Sequence, residues 1–245
     1  MILDLDVGNS RIKWRVGETG GQPVASGSVP AVDDLFTQPL AQFDIQRARI
    51  ACVRGSELLA GLENSLEARW KLVPEVARVS RHCQGVSVAY ADLNRLGVDR
   101  WLAMLAAYRT ASGPVVVVDC GTALTVDLVA AHGDHLGGYI VPGLRLGTLA
   151  LTGNTAIRLA AQPDWGLDPG QSTEEAIYHG SLMMLVSLIE AVIRRERTGL
   201  FRSAAPVVLL TGGDAGLIKR FVDAARLEVR VVPDLVLDGL ALALP

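Results

Sequence analysis

The segment 1–7 is apolar, and after Gly8-Asn9-Ser10 the run Arg11-Ile12-Lys13-Trp14-Arg15-Val16 alternates polar with apolar residues. Alternation with period two places one face of a strand against a core, so two such runs around a short glycine turn predict a β-hairpin. A third strand is expected at 23–29, after the glycine-rich turn 17–21, and another at 49–53. Over 56–70 the apolar positions recur at helical spacing, and a second helix is expected over 98–110. Ser112-Gly113-Pro114 then breaks the pattern.

Beyond that break the β-branched run Val115 to Val118 leads into Asp119-Cys120-Gly121-Thr122-Ala123, and 124–130 resumes as a strand. The layout of the N-terminus has returned: apolar strand, Asp, one residue, Gly, small polar residue, returning strand. Two copies at about half the chain length predict a duplicated architecture, divided as 1–113 and 114–245. The second half continues with a hairpin at 132–134, a strand bearing Gly137-Gly138-Tyr139-Ile140-Val141-Pro142-Gly143, and helices over 144–159 and 173–197. A strand at 206–210, a Gly212-Gly213 turn into a helix over 215–225, a strand at 227–232 and a short C-terminal helix complete it.

Composition narrows the class. Half of the 245 residues are hydrophobic and a fifth are charged, as in a globular α/β protein. The apolar stretch 182–193 is too short to span a bilayer and is interrupted by Ser187 and Glu190, so no membrane partner is expected. The N-terminus lacks the marks of a secretory leader, which points to the cytoplasm. Three cysteines without a C-x-x-C pair read as reduced thiols. A net charge of −3 without a basic run leaves no footprint for nucleic acid.

Chemistry concentrates in the two Asp-x-Gly turns. Glycine there exposes neighbouring N–H groups to phosphate oxygens, and the Asp at the strand end can hold a cation. One such turn alone reads first as an ordinary hairpin; two at equivalent places reverse that reading and suit a nucleotide. Gly212-Gly213 could let a ribose or ring approach the backbone, or serve as a plain strand-to-helix connection. Asp99, in Gly97-Val98-Asp99-Arg100, reads either as a helix-start carboxylate or as a general base, with Arg100 offering a fork to an anionic substrate.

Taken in order, Asp6-Val7-Gly8-Asn9-Ser10 with Lys13, Gly97 to Arg100, Asp119 to Ala123 with Thr125 and Asp127, Gly137 to Gly143, and Ser172-Thr173-Glu174-Glu175-Ala176 resemble type III pantothenate kinase over most of the chain. The resemblance implies a duplicated actin-like (ribonuclease H-like) α/β fold, two domains of mixed sheets flanked by helices with a nucleotide cleft between them. It implies transfer of the ATP γ-phosphoryl group to pantothenate, the first step toward coenzyme A. Asp6, Val7, Gly8, Asn9, Ser10, Arg11, Ile12 and Lys13 would form the first phosphate loop, with Asp6 near the Mg2+ of ATP, and Gly121 and Thr122 would serve from the second. Asp99 would accept the proton; Tyr90, Gly97, Val98, Arg100 and Thr173 would contact pantothenate; Asp119 would hold potassium or ammonium. A homodimer is implied as well. Ser10 stands where Thr is common and Val98 where Ala is common.

The rival readings are another small-molecule kinase of the superfamily and a transcription accessory factor. His132 and His135, despite H-x-x-H spacing, read as exposed turn residues. Met183 and Met184 read as core or dimer packing, and the Arg194 to Arg197 run as cations suited to a helix C-terminus.

Overall fold

The computed structural model describes 1–37, 40, 42–198, 201, 205–222 and 228–245, with backbone only at 37 and 196–198. Two compact units result: Met1–Arg109 together with Asp234–Pro245, and Thr110–Pro233. The sequence-based division at 113/114 therefore differs in one large respect, because the last residues return to the first unit.

In that unit β1 (Ile2–Val7), β2 (Ile12–Gly17) and β3 (Ala25–Val29) form an antiparallel meander. Helix α1 (Val32–Thr37) follows, then β4 (Arg47–Cys52), α2 (Ser56–Trp70) and β5 (Glu75–Val76), with β4 parallel to β1 and to β5. A small hairpin of β6 (His82–Cys83) and β7 (Val86–Ser87), a 3-10 turn at Leu93–Arg95 and α3 (Val98–Ala111) complete the run. The alternation read from the sequence is realised: Leu3, Leu5, Val7, Ile12, Trp14 and Val16 face Leu35, Leu62 and Leu66 of the helices.

The second unit holds β8 (Val115–Cys120), β9 (Ala123–Val129), β10 (His135–Pro142), α4 (Leu144–Asn154), α5 (Thr173–Thr198), β11 (Val207–Thr211), α6 (Ala215–Lys219) and β12 (Val229–Val231). Its sheet runs β10-β9-β8-β11-β12, the counterpart of β3-β2-β1-β4-β5. Val116, Val118, Leu124, Val126 and Leu210 pack on Leu182, Leu185, Val186 and Ile189 of α5. The stretch Thr173–Arg195 is long and apolar enough to cross a membrane, yet one stripe of it is this unit's core.

Helix α7 (Leu235–Ala243) docks on the first sheet, and a buried charge network explains why. Asp4 pairs across the strands with Arg15 and Arg49 at 3.2 and 2.7 Å. Arg15 also donates to Leu237 O and reaches Asp238, while Arg49 donates to Leu244 O at 2.6 Å. The Leu244 carbonyl, left open at the C-terminal end of α7, thus receives guanidinium donors.

Other expectations change at their edges. Helix α4 stops at Asn154 rather than 159, because the side chains of Thr152, Asn154 and Thr155 bond back to helix carbonyls at 2.7–3.2 Å and end it. Helix α6 is shorter than 215–225, and 223–225, like 227 of the last strand, lie outside the described residues. His135 is buried, with Nε2 3.1 Å from Asp127 Oδ1, contrary to its reading as an exposed turn residue. The two-residue alternation of β9 and β10 turns both side chains inward. Elements α1, β5 and the β6–β7 hairpin were absent from the sequence reading; each is too short to leave a periodic signal.

Candidate functional site

The first turn spans Gly8 to Arg11, closed by Gly8 N–H donating to Arg11 O at 3.1 Å. Asn9, Ser10 and Arg11 stand exposed at its tip. Asp6 and Lys13 sit opposite each other one pair below, whereas Val7 and Ile12 turn their side chains into the core and can serve a ligand through backbone only. Arg11 reaches across to β3, donating from Nε to Ser28 Oγ at 2.7 Å and from Nη2 to Ser28 O at 2.9 Å. Burial pushes the Cys52 thiol up, with the Asp6 charge adding to it, so Cys52 is not a ready nucleophile.

The start of α3 gathers a second group. Trp101 N–H donates to Gly97 O at 3.1 Å to begin the helix, and the Asp99 carboxylate folds back to accept from Arg100 N–H at 2.7 Å. A Cβ at Gly97 would lie 2.5 Å from Asp99 Oδ1, so glycine is what leaves the carboxylate its position. Arg100 is buried; its Nη1 donates to Tyr90 Oη at 3.0 Å, and its guanidinium lies 5.8 Å over the Tyr90 ring. Val98 is half-buried on the same turn. Tyr90, Gly97, Val98, Asp99 and Arg100 are thus one constellation within the first unit.

In the second unit the matching turn is tighter: only Gly121 and Thr122 separate β8 from β9. Two further turns press against it. Gly143 N–H donates to Thr122 O at 3.0 Å, and Asp214 N–H donates to Cys120 O at 3.0 Å. Glycine is required at both contacts. A Cβ on Gly143 would lie within 3 Å of the carbonyl oxygens of Gly121 and Thr122, and one on Gly212, where φ is +90°, would meet Asp119 Oδ1 and the Cys120 carbonyl. The Asp119 carboxylate is therefore framed by Gly121 and Gly212 with backbone carbonyl oxygen close by. Asp214 stands near; burial raises its carboxyl above the usual range. Burial first, then the charges of Asp119 and Asp214, push the Cys120 thiol far up.

Carboxylate and backbone carbonyl oxygens are the donor types that a hard cation takes. Among the described residues, no three His, Cys, Asp or Glu side chains converge as a metal cage. The contributions of Gly143 and Asp214 were not read from sequence, although both lie in glycine-bearing segments singled out there.

Thr173 is exposed at the first residue of α5. Ser172 Oγ accepts from Glu175 N–H at 3.1 Å, and Glu175 in turn accepts from Gln171 N–H at 2.7 Å, a reciprocal cap for this helix. His179, one to two turns on, has its ring nitrogens 2.7 and 3.2 Å from Asp168 O and Asp164 O, tying down the preceding loop.

Comparison with known proteins gives the arrangement a family context. The family model described as Type III pantothenate kinase matches residues 2–195. The chain is 40% identical over 253 residues to the type III pantothenate kinase of Pseudomonas putida strain W619, covering 100% of this chain and 99% of that protein. Among solved structures it is similar to a conserved putative Baf family transcriptional activator from Campylobacter jejuni, with a TM-score of 0.57 at 22% identity over 97% of this chain and 94% of that one. It is similar also to the activator of 2-hydroxyisocaproyl-CoA dehydratase from Clostridium difficile, which has bound ADPNP (TM-score 0.51, 11% identity, 99% and 92% covered). At such identities the structural likeness establishes the fold, a duplicated actin-like α/β architecture with mixed sheets.

Proposed function

The chain belongs to the type III pantothenate kinase family and phosphorylates pantothenate with ATP toward coenzyme A, and on that premise we propose which of its residues do the work. The observation that carries the assignment is the Asp99 carboxylate, held at the start of α3 by Arg100 N–H beside Gly97, where a Cβ would displace it. Asp99 accepts the proton of the pantothenate hydroxyl as its oxygen attacks the γ-phosphorus and the bond to ADP breaks. Arg100, steadied by Tyr90, binds the pantothenate carboxylate through its guanidinium fork, while Gly97, Val98 and Thr173 shape the rest of that subsite.

Asp6, Asn9, Ser10 and Lys13, with backbone from Val7, Gly8, Arg11 and Ile12, take the phosphates on one side, and Gly121 and Thr122 on the other. Asp119 holds a monovalent cation, potassium or ammonium; its framing by Gly121 and Gly212 supports this reading. Asp6 would lie near the Mg2+ that accompanies ATP, which when bound would supply shielding of the phosphate charge. The exposed apolar residues Leu146, Leu149, Leu151, Met183 and Met184 on α4 and α5 favour a homodimer, and the enzyme works in the cytoplasm, independent of nucleic acid and membrane.

The test is direct. Incubation with ATP, Mg2+, potassium and pantothenate is expected to yield 4′-phosphopantothenate by mass spectrometry, with severe loss in Asp99→Asn and in buffer lacking potassium and ammonium. A fully active Asp99→Asn removes Asp99 from the chemistry, and cation-independent turnover removes the role of Asp119.

A further inference from the structure

We propose that Arg81 is a positioning residue for the acceptor subsite, holding Tyr90 where it can orient Arg100; this rests on the reading of Tyr90 and Arg100 as the pantothenate-binding pair. Arg81 stands at the base of the β6–β7 hairpin. Its backbone O accepts from Val88 N–H at 2.9 Å, which closes the hairpin, and its side chain then follows the segment that leaves β7. Nη1 donates to Val88 O at 2.9 Å and to Tyr90 O at 2.6 Å, and Nη2 donates to Ala91 O at 3.0 Å. One planar guanidinium thus fixes three backbone carbonyls on both sides of Tyr90.

A single fork with this many donors is a property of arginine; a lysine ammonium is a point charge and cannot span the same set in one plane. Backbone held at residues 88, 90 and 91 leaves the Tyr90 side chain little freedom of direction. Its Oη accepts from Arg100 Nη1, and Arg100 N–H in turn donates to Asp99 Oδ1. Arg81 is therefore linked to the carboxylate assigned as base through three hydrogen bonds and the Tyr90 and Arg100 residues that connect them.

The far end of the hairpin is anchored independently. Gln84 and Gly85 both take positive φ, +49° and +81°, as a tight two-residue turn demands. Gln84 Nε2 donates to Leu242 O at 2.9 Å, and Gly85 packs so closely on the Tyr108 ring of α3 that a Cβ would come within 3.3 Å. Seated on α3 and α7 at its tip and read by Arg81 at its base, the hairpin serves as a bracket. It joins the helix carrying Asp99 and Arg100 to the segment after β7 that carries Tyr90. Arg81 itself is exposed, so the side chain is not required for the core.

Steady-state kinetics of Arg81→Met, Arg81→Lys, Tyr90→Phe, Arg100→Met and the Arg81→Met/Tyr90→Phe double variant test the proposal. Arg81→Met is expected to raise KM for pantothenate about tenfold while KM for ATP stays within about twofold. Arg81→Lys, which keeps the charge and the stem, is expected to fall between the two. In the Tyr90→Phe background the Arg81→Met change is expected to add less than about twofold, because both act through one contact. Equal increases in both KM values, full additivity with Tyr90→Phe, or unchanged pantothenate KM in both Arg81 variants overturns the proposal. If Arg100→Met weakens pantothenate and the Arg81 variants do not, the subsite reading stands and Arg81 falls; if Arg100→Met has no effect, the subsite reading falls and takes the proposal with it.

Discussion

The two sheets have the same strand order and the same directions, yet their equivalent turns are built in opposite ways. The turn between β1 and β2 is open: Asn9, Ser10 and Arg11 are exposed, and a Cβ at Gly8 would come no closer than 3.2 Å to Arg11 O. Between β8 and β9 the turn is packed, with Gly143 and Gly212 so close to its backbone that neither admits a side chain. The contrast extends to the buried charges. In the first unit they form the network of Asp4, Arg15 and Arg49 that receives α7; in the second, Asp119 and Asp214 both stand beside the buried Cys120 thiol. One topology thus supports an exposed turn and a packed one, and the difference lies in what packs behind each hairpin.

Substitutions can break this comparison, and the largest effect is expected at the chemistry. Asp99→Asn should lower kcat by about 100- to 10 000-fold with little change in thermal stability, as for loss of a general base; equal kcat in both proteins would remove the role. Asp4→Ala should cost about 3–5 kcal/mol in denaturant unfolding, since the buried Arg49 and the half-buried Arg15 lose their shared carboxylate. A loss below about 1 kcal/mol, the size of a surface pair, would mean the network does not hold α7.

Two glycine substitutions sharpen the contrast between the units. Gly212→Ala forces a Cβ onto the Cys120 carbonyl at a φ of +90°, so about 3 kcal/mol of stability should go, visible as a lower Tm. Gly97→Ala meets only the end of the Asp99 side chain; Tm should hold while kcat falls about 100-fold from the displaced carboxylate. The reverse pattern, lost Tm at Gly97 and retained Tm at Gly212, would contradict the account of both turns.

The smallest effect concerns pH. Burial raises the Asp214 carboxyl, so folding favours its protonated form; that stability is present below the unfolded value and is lost as pH rises through the folded one. Asp214→Asn should therefore raise Tm slightly at neutral pH without added monovalent cation, and the gain should shrink toward acid. An Asn variant less stable at neutral pH would show that the ionised carboxylate is already compensated in the fold.

Local pattern determined a good deal about this protein. The two hairpins, the match of α2 to 56–70, the start of α3 at Val98 and the ordered motifs that place the chain in its family are written in residues close to one another in sequence, where periodicity and turn chemistry act directly. Asp99 beside Gly97 was legible for the same reason. Helix α7's return to the first sheet, the framing of Asp119 by Gly212, the inward turn of His135 and the reach of Arg81 to Tyr90 were decided by tertiary structure. Each depends on which strands and turns become neighbours and on the space left between them. A glycine or an arginine carries no mark of the carbonyl or carboxylate it will meet until the sheets have formed.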